Sequence, residues 1–221
     1  MLTAVSYDRV AMNAVFRGAL IALLVAGCTS KGPSGVKSAS APTAVDWRKV
    51  ATAADRQRLR DWRTAFTTAL RQARLSHAAQ VANQGVLLEP DAAIADPDGI
   101  PPGAYRCRVI KLGAKSAGMS DYTAYPAFNC DIADEGEVSS FTKTSGSQRP
   151  VGLVFNDDGG RQIFLGTLML GDETQAIDYG RDADRDMAGA VEKIGPRRWR
   201  MLLPWPRFES MMDVIELVPA S

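Results

Sequence analysis

Residues 151–170 read VGLVFNDDGGRQIFLGTLML, and the reading of this stretch decides the architecture. Two runs rich in β-branched, aromatic and other apolar residues, Val151–Asn156 and Gln162–Leu170, flank the turn signal DDGG at 157–160. Short runs of that composition, bounded by Asp and Gly, pair as an antiparallel hairpin. The same texture continues on both sides. Upstream lie Ala104–Leu112, Tyr125–Ile132 and Val138–Thr142, with DEGE at 134–137 between the last two. Downstream lie Met187–Ile194, Arg198–Leu203 and Met211–Val218, with LGDE at 170–173 and IGP at 194–196 as further turns. Eight short strands joined mostly by tight turns predict an up-and-down antiparallel meander that closes as a small barrel or curls strongly. Tyr105, Phe164, Trp199, Trp205 and Phe208 stand at strand spacing and are expected in its core.

Upstream of the Pro- and Asp-rich boundary EPDAAIADPDGIPPG at 89–103 the period changes. Thr52 followed by Asp55 is a capping-box variant, the hydroxyl accepting a backbone N–H while the acid sits at the positive end of the helix dipole. Leu59, Trp62, Phe66, Ala69, Leu70 and Ala73 then share one face at helical spacing, predicting one amphipathic helix to about residue 75. Arg56, Arg60, Arg63, Arg71 and Arg74 cluster on its flank, and a shorter helical piece over 76–83 ends at Gly85. The expected class is therefore α+β: an N-terminal amphipathic helix packed on a predominantly antiparallel β-meander or small up-and-down β-barrel. Residues 45–90 form the helical segment and 91–221 the β-rich domain.

Residues 17–28, RGALIALLVAGC, give the chain an address. A basic flank, an apolar run too short to span a bilayer and small residues before Cys28 describe a secretion signal. The ending VAGC resembles a lipobox, which implies that Cys28 is lipidated and that residues 1–27 are removed. Met12 opens a more compact signal than Met1 and leads to the same product. Removing residues 1–27 from the 221 leaves 194, enough for one domain with a real core. Residues 28–44, rich in Ser, Gly, Ala and Pro, read as a flexible tether with an r.m.s. reach of about 20–24 Å. Thr29, rather than Asp, after the cysteine resembles outer-membrane sorting. The expected location is the bacterial cell envelope, lipid-anchored and facing the periplasm.

The net charge of +1 conceals an asymmetry. Residues 28–80 carry ten Lys and Arg against three Asp, a net of +7, whereas 81–221 carry fourteen basic groups against twenty-one acidic ones, a net of −7. Positive charge is not concentrated on the β-rich module, which argues against a nucleic-acid partner. Cys107 and Cys130, the pair left once Cys28 is lipidated, are expected to form a disulfide in an oxidising compartment.

Candidate chemistry is sparse. His77 is the sole histidine, expected as a partly buried structural residue, and no G-x-S-x-G elbow accompanies it. Asp178, Asp182, Asp184 and Asp186 could offer carboxylates to calcium, but Met187 and Lys193 stand where an EF-hand loop needs Gly and Glu. A solvated loop with Arg181 and Arg185 pairing those acids is the expected reading, with no metal and no cofactor. The segments WRTAFTTALRQAR (62–74), PPGAYRCRVIKLG (101–113), FLGTLMLGDE (164–173) and YGRDADRDMAGAVEKIG (179–195) together resemble the bacterial family catalogued as domain of unknown function 4893. The resemblance runs over residues 45–219 and implies an envelope protein, while supplying no activity or catalytic residue. The expected function is a non-catalytic envelope lipoprotein whose barrel binds a partner protein or a small apolar ligand. Two alternatives stand beside it: a periplasmic inhibitor of lysozymes or proteases, which a small disulfide-bonded barrel on an anchor distantly resembles, and an envelope-polymer hydrolase using paired carboxylates.

Overall fold

The computed structural model describes residues 45–157 and 160–221; Cys28, the signal segment and the tether lie outside them. Eight strands follow one another: β1 (Gly103–Ala114), β2 (Tyr122–Asp134), β3 (Ser139–Lys143), β4 (Gln148–Asn156), β5 (Gln162–Leu170), β6 (Asp186–Gly195), β7 (Arg198–Pro204) and β8 (Ser210–Pro219). Each pairs antiparallel with its sequence neighbour, and β8 returns to β1 from Tyr105↔Pro219 to Ala114↔Ser210, closing the barrel. Closure satisfies the backbone groups that an open sheet would leave along two edges.

Side chains alternate across the wall. Inward-facing Tyr105, Cys107, Phe141, Phe164, Trp199, Met201, Ile215 and Leu217 belong to one apolar cluster that fills the lumen. Tight coiling depends on Gly152 facing Gly166 across β4 and β5: a Cβ on Gly152 would lie 2.4 Å from the Gly166 Cα. Phe164 occupies the room so freed and meets Phe141 edge-on, 5.7 Å between ring centres. The expected disulfide is present: Cys107 and Cys130 sit diagonally on β1 and β2, their Cα atoms 5.9 Å apart inside the lumen. At a sequence separation of 23, the bridge restricts the unfolded chain by roughly 3 kcal/mol in the entropic account.

The helical region is α1 (Trp47–Val50), α2 (Ala53–Arg60), α3 (Trp62–Ala82) and a 3₁₀ turn, η1 (Gly85–Leu88). Thr52 caps α2 as expected, its hydroxyl accepting from the Asp55 N–H at 3.1 Å. The continuous helix expected from residue 52 is instead broken at Asp61, whose backbone (φ −91°, ψ 5°) leaves the helical region. The two pieces consequently serve different clusters. Leu59 joins Trp47, Ala51, Phe155 and Ile163, whereas Phe66, Ala69, Leu70 and Ala73 join Ile110 and Leu112 of β1, Leu202 of β7 and Met212 and Val214 of β8. Gly113, at φ +69°, admits this approach, since a Cβ there would lie 3.0 Å from the Ala69 Cα. The piece expected over 76–83 is continuous with α3 through a kink at His77.

One further reading needs correction. Trp205 is half-buried beside the α3 cluster and Phe208 is exposed, so neither belongs to the lumen. In the β6–β7 turn the left-handed residue is Arg197 (φ 54°). Trp62 is half-buried, flanked by the guanidinium groups of Arg161 at 4.6 Å and Arg63 at 5.9 Å.

Beneath α3 lies a buried ion pair. Arg200 on β7 is fully buried and donates Nε and an amino group to Glu192 Oε2 at 3.0 and 2.8 Å. Its remaining donors go to the carbonyls of Leu87 (3.0 Å), Glu89 (2.7 Å) and Pro90 (3.3 Å). Carbonyls at the end of η1 have no continuing helix to receive them, and Arg200 supplies donors to those of Leu87, Glu89 and Pro90.

Candidate functional site

The two ends of the barrel differ. Across one end runs the linker after η1. Ile94 N–H donates to the Lys193 carbonyl at 2.9 Å, Ile100 N–H to Gln162 Oε1 at 2.8 Å, and Ile100 itself enters the luminal cluster. Buried Asp96 accepts from Trp199 Nε1 at 2.7 Å and from Lys193 Nζ at 2.9 Å. These bonds seal the end and leave an open cleft of about 560 Å³ outside it, rimmed by Asp98, Asp134 and Glu137. Its buried polar groups hold one another.

At the opposite end the inward register changes from apolar to ionisable. On β1 Lys111 follows Tyr105, Cys107 and Val109; on β3 Lys143 follows Phe141; on β8 Asp213 precedes Ile215 and Leu217. Lys111 and Asp213 are register partners, Nζ to Oδ2 3.1 Å, and Glu209 meets the same ammonium at 3.0 Å. Ser210 Oγ donates to Asp213. Lys143 is buried yet forms no ion pair among the described residues: its Nζ donates to the carbonyls of Ser145 (2.6 Å) and Gln148 (2.9 Å) and stands 3.7 Å over the Phe128 ring. Lys143, Lys111, Val109, Tyr125 and Phe128 line a cavity of about 140 Å³. A smaller one of about 40 Å³ shares Val109, Lys111 and Gln148 with it.

The two lysines titrate differently. Burial lowers the proton affinity of Lys111, but Asp213 and Glu209 more than restore it and hold the ammonium above its ordinary value. Lys143 is pushed down to about 8 by burial and by the positive charges of Arg149 and Lys111. Because its folded value lies below its unfolded one, the unfolded chain binds the extra proton between about 8 and 10.5. The contribution of Lys143 to stability therefore rises with pH across that window. Acetylation followed by mass spectrometry should show Lys143 gaining reactivity with a midpoint near pH 8, below the ordinary lysine value of about 10.4. A midpoint at the ordinary value would contradict the environment described.

The sequence candidates are scattered. His77 is half-buried at the helix kink, its Nδ1 2.9 Å from Ser76 Oγ and its ring stacked on Tyr122 at 5.7 Å. Ser76 also reaches Asp121 at 3.5 Å, but the serine stands between histidine and aspartate, so the imidazole is not oriented by the acid as a nucleophile-activating base requires. The four loop acids diverge: Asp184 pairs with Arg207 at 2.7 Å, buried Asp186 accepts from the Gly180 N–H, and Asp182 accepts from the Asp184 N–H. Arg185, expected to pair with those acids, instead meets Glu173 at 2.9 Å. Among the described residues no cluster of His, Cys, Asp or Glu suits a metal ion.

Sequence reading missed Lys111, Lys143 and Asp213. For Lys111 and Asp213 the available signal was a charge at an inward position of an otherwise apolar register; Lys143, on the polar strand β3, carried none.

A family model described as a domain of unknown function (DUF4893) matches residues 47–217. The chain belongs to this family. The match spans every element from α1 to most of β8, so the helical pieces and the barrel are both parts of the DUF4893 domain. No curated protein and no solved structure is significantly similar to the chain.

Proposed function

We propose that this DUF4893 chain is a non-catalytic lipoprotein of the bacterial cell envelope. It is anchored through Cys28, faces the periplasm, and carries its helical segment as an integral part of one ligand-binding domain. The ligand is a small, largely apolar molecule with one acidic group, taken at the Lys143 mouth of the barrel. The supporting observation is a buried ammonium without an ion-pair partner among the described residues, in the wall of a cavity where Val109, Tyr125 and Phe128 face the polar groups of Lys111, Ser147, Gln148 and Glu209. The volume, about 140 Å³, is close to the roughly 150 Å³ that holds a benzene ring. A carboxylate brought there would meet the Lys143 charge and leave its ring against Val109, Tyr125 and Phe128.

Titration calorimetry with benzoate and benzamide tests this reading. Benzoate should bind the wild-type chain at least tenfold more tightly than benzamide, and Lys143→Met should remove the difference while keeping the thermal transition. Equal affinities for the two probes, or an unaffected Lys143→Met, would overturn it. The address is tested separately: Cys28→Ser should accumulate as unprocessed precursor or appear in the soluble fraction, and a Cys28→Ser protein wholly in membranes at its mature mass would exclude lipid anchoring.

A further inference from the structure

A second concave site, far from the lysine mouth in character, lies where α1 and α2 meet β4 and β5. Arg48, Arg56, Arg60 and Arg161 rim a pocket of about 340 Å³ with Trp47 in its wall. Leu59 and Ile163, both buried, form an apolar floor. The guanidinium groups are held in place rather than loose. Arg48 lies over the Trp47 ring at 4.5 Å, Arg161 over Trp62 at 4.6 Å, and Arg56 donates to the Arg48 carbonyl at 3.0 Å and to the Ala51 carbonyl. Such stacking fixes the plane of the fork and lowers the entropy lost when an anion arrives.

The charge is not balanced. Asp157 is the single carboxylate lining the pocket among the described residues, and it is already engaged by Arg48 at 3.0 Å and by Trp47 Nε1 at 2.9 Å. Arg161 reaches Glu192, but that carboxylate is shared with the fully buried Arg200. Arg56 and Arg60 form no ion pair among the described residues; Arg56 bonds backbone carbonyls and Arg60 bonds Gln57. Among the described residues lining the pocket four arginines face one aspartate, a surplus of three. Fixed guanidinium forks over an apolar floor match a phosphate group attached to hydrocarbon.

We infer that this pocket binds the phosphate headgroup of an acidic phospholipid in the membrane to which the chain is anchored. The inference rests on the anchoring half of the reading above. Trp47 and Arg48 stand only 19 and 20 positions after Cys28 in the chain, so the arginine rim is close in sequence to the proposed anchor, where an anionic headgroup layer attracts basic groups. The site would hold the domain in one orientation on the bilayer.

The test uses the full chain purified in dodecyl maltoside. Its tryptophan fluorescence is followed as phosphatidylglycerol, phosphatidylcholine or inorganic phosphate is added to the micelle solution. Phosphatidylglycerol should give a saturable change, and phosphatidylcholine and inorganic phosphate none at equal concentration. Arg60→Glu should weaken the response at least tenfold, whereas Arg71→Glu, the same charge change on an exposed position of α3, should leave it near wild type. An unchanged Arg60→Glu, an equal loss in Arg71→Glu, or an equal response to phosphatidylcholine would overturn the site. Saturation by inorganic phosphate at the same affinity would assign it to a free anion and overturn the membrane role. The outcome is independent of benzoate binding at the lysine mouth, and the mass of the purified chain reports lipidation separately.

Discussion

Replacing Arg200 with alanine should destabilise the fold by about 3–5 kcal/mol, because it removes one partner of a fully desolvated pair and leaves the other charge buried. Glu192 Oε2 would lose two bonds, of 3.0 and 2.8 Å, in a site where the carboxylate is 2 % exposed. The carbonyls of Leu87, Glu89 and Pro90 would each lose a bond as well, Glu89 keeping only the one from the Ala92 N–H. Arg161 reaches the other oxygen of Glu192 from a partly exposed position and cannot move in to compensate without giving up its place on Trp62. The double variant Arg200→Met, Glu192→Leu should recover much of the loss, since hydrophobic replacement of both charges avoids the desolvation cost. Urea denaturation of the three proteins measures the effect. A loss below about 1 kcal/mol for Arg200→Ala would mean that water reaches the pair.

Phe66→Ala should cost about 3–5 kcal/mol, the range for emptying a fully enclosed aromatic site. Phe66 has no exposed surface and lies among Leu70, Ile110, Leu202 and Val214, with the Arg200 guanidinium 5.4 Å from its ring centre. Trp62→Ala should cost less despite the larger side chain, because Trp62 is half-buried and its arginine neighbours contribute only about 0.5–1 kcal/mol each at a wet site. Arg60→Ala, exposed and bonded only to Gln57, should stay within about 0.5 kcal/mol of wild type. The ordering Phe66, Trp62, Arg60 is measurable by the same denaturation. Equal small effects would mean that the helical region opens independently of the barrel.

The strands were legible because alternation and turn residues are local properties. All eight expected strands occur, β5 with its bounds unchanged, β3 shifted by one residue, and the others extended by one to three residues at one or both ends where ladder partners carry pairing past the apolar run. Whether an inward charge at a strand end is a flaw or a site is not local. Lys111 and Asp213 are 102 positions apart and meet only because β8 closes on β1. Lys143 reads as an ordinary end to a polar strand until the lumen places it beside Phe128. The break at Asp61 was hidden for the opposite reason. The apolar spacing continues through it, and only the division of Leu59 and Phe66 between two clusters shows that the chain bends. Arg200 carried a visible signal, a cation in the apolar run Trp199–Leu203, but its partners depend on where η1 lies.

The pairing of β1 with β8 also governs when the domain can come into being. Tyr105 finds Pro219 only when the last strand is available, so the seam that closes the wall joins positions separated by most of the domain. Ladders of such long sequence separation form slowly and late. The first-made hairpins therefore spend their early life with an open edge, and a ribosome still holding residues 210–219 holds the wall apart. Under the envelope location proposed above this delay would favour export, since the wall cannot close until residues 210–219 have been delivered.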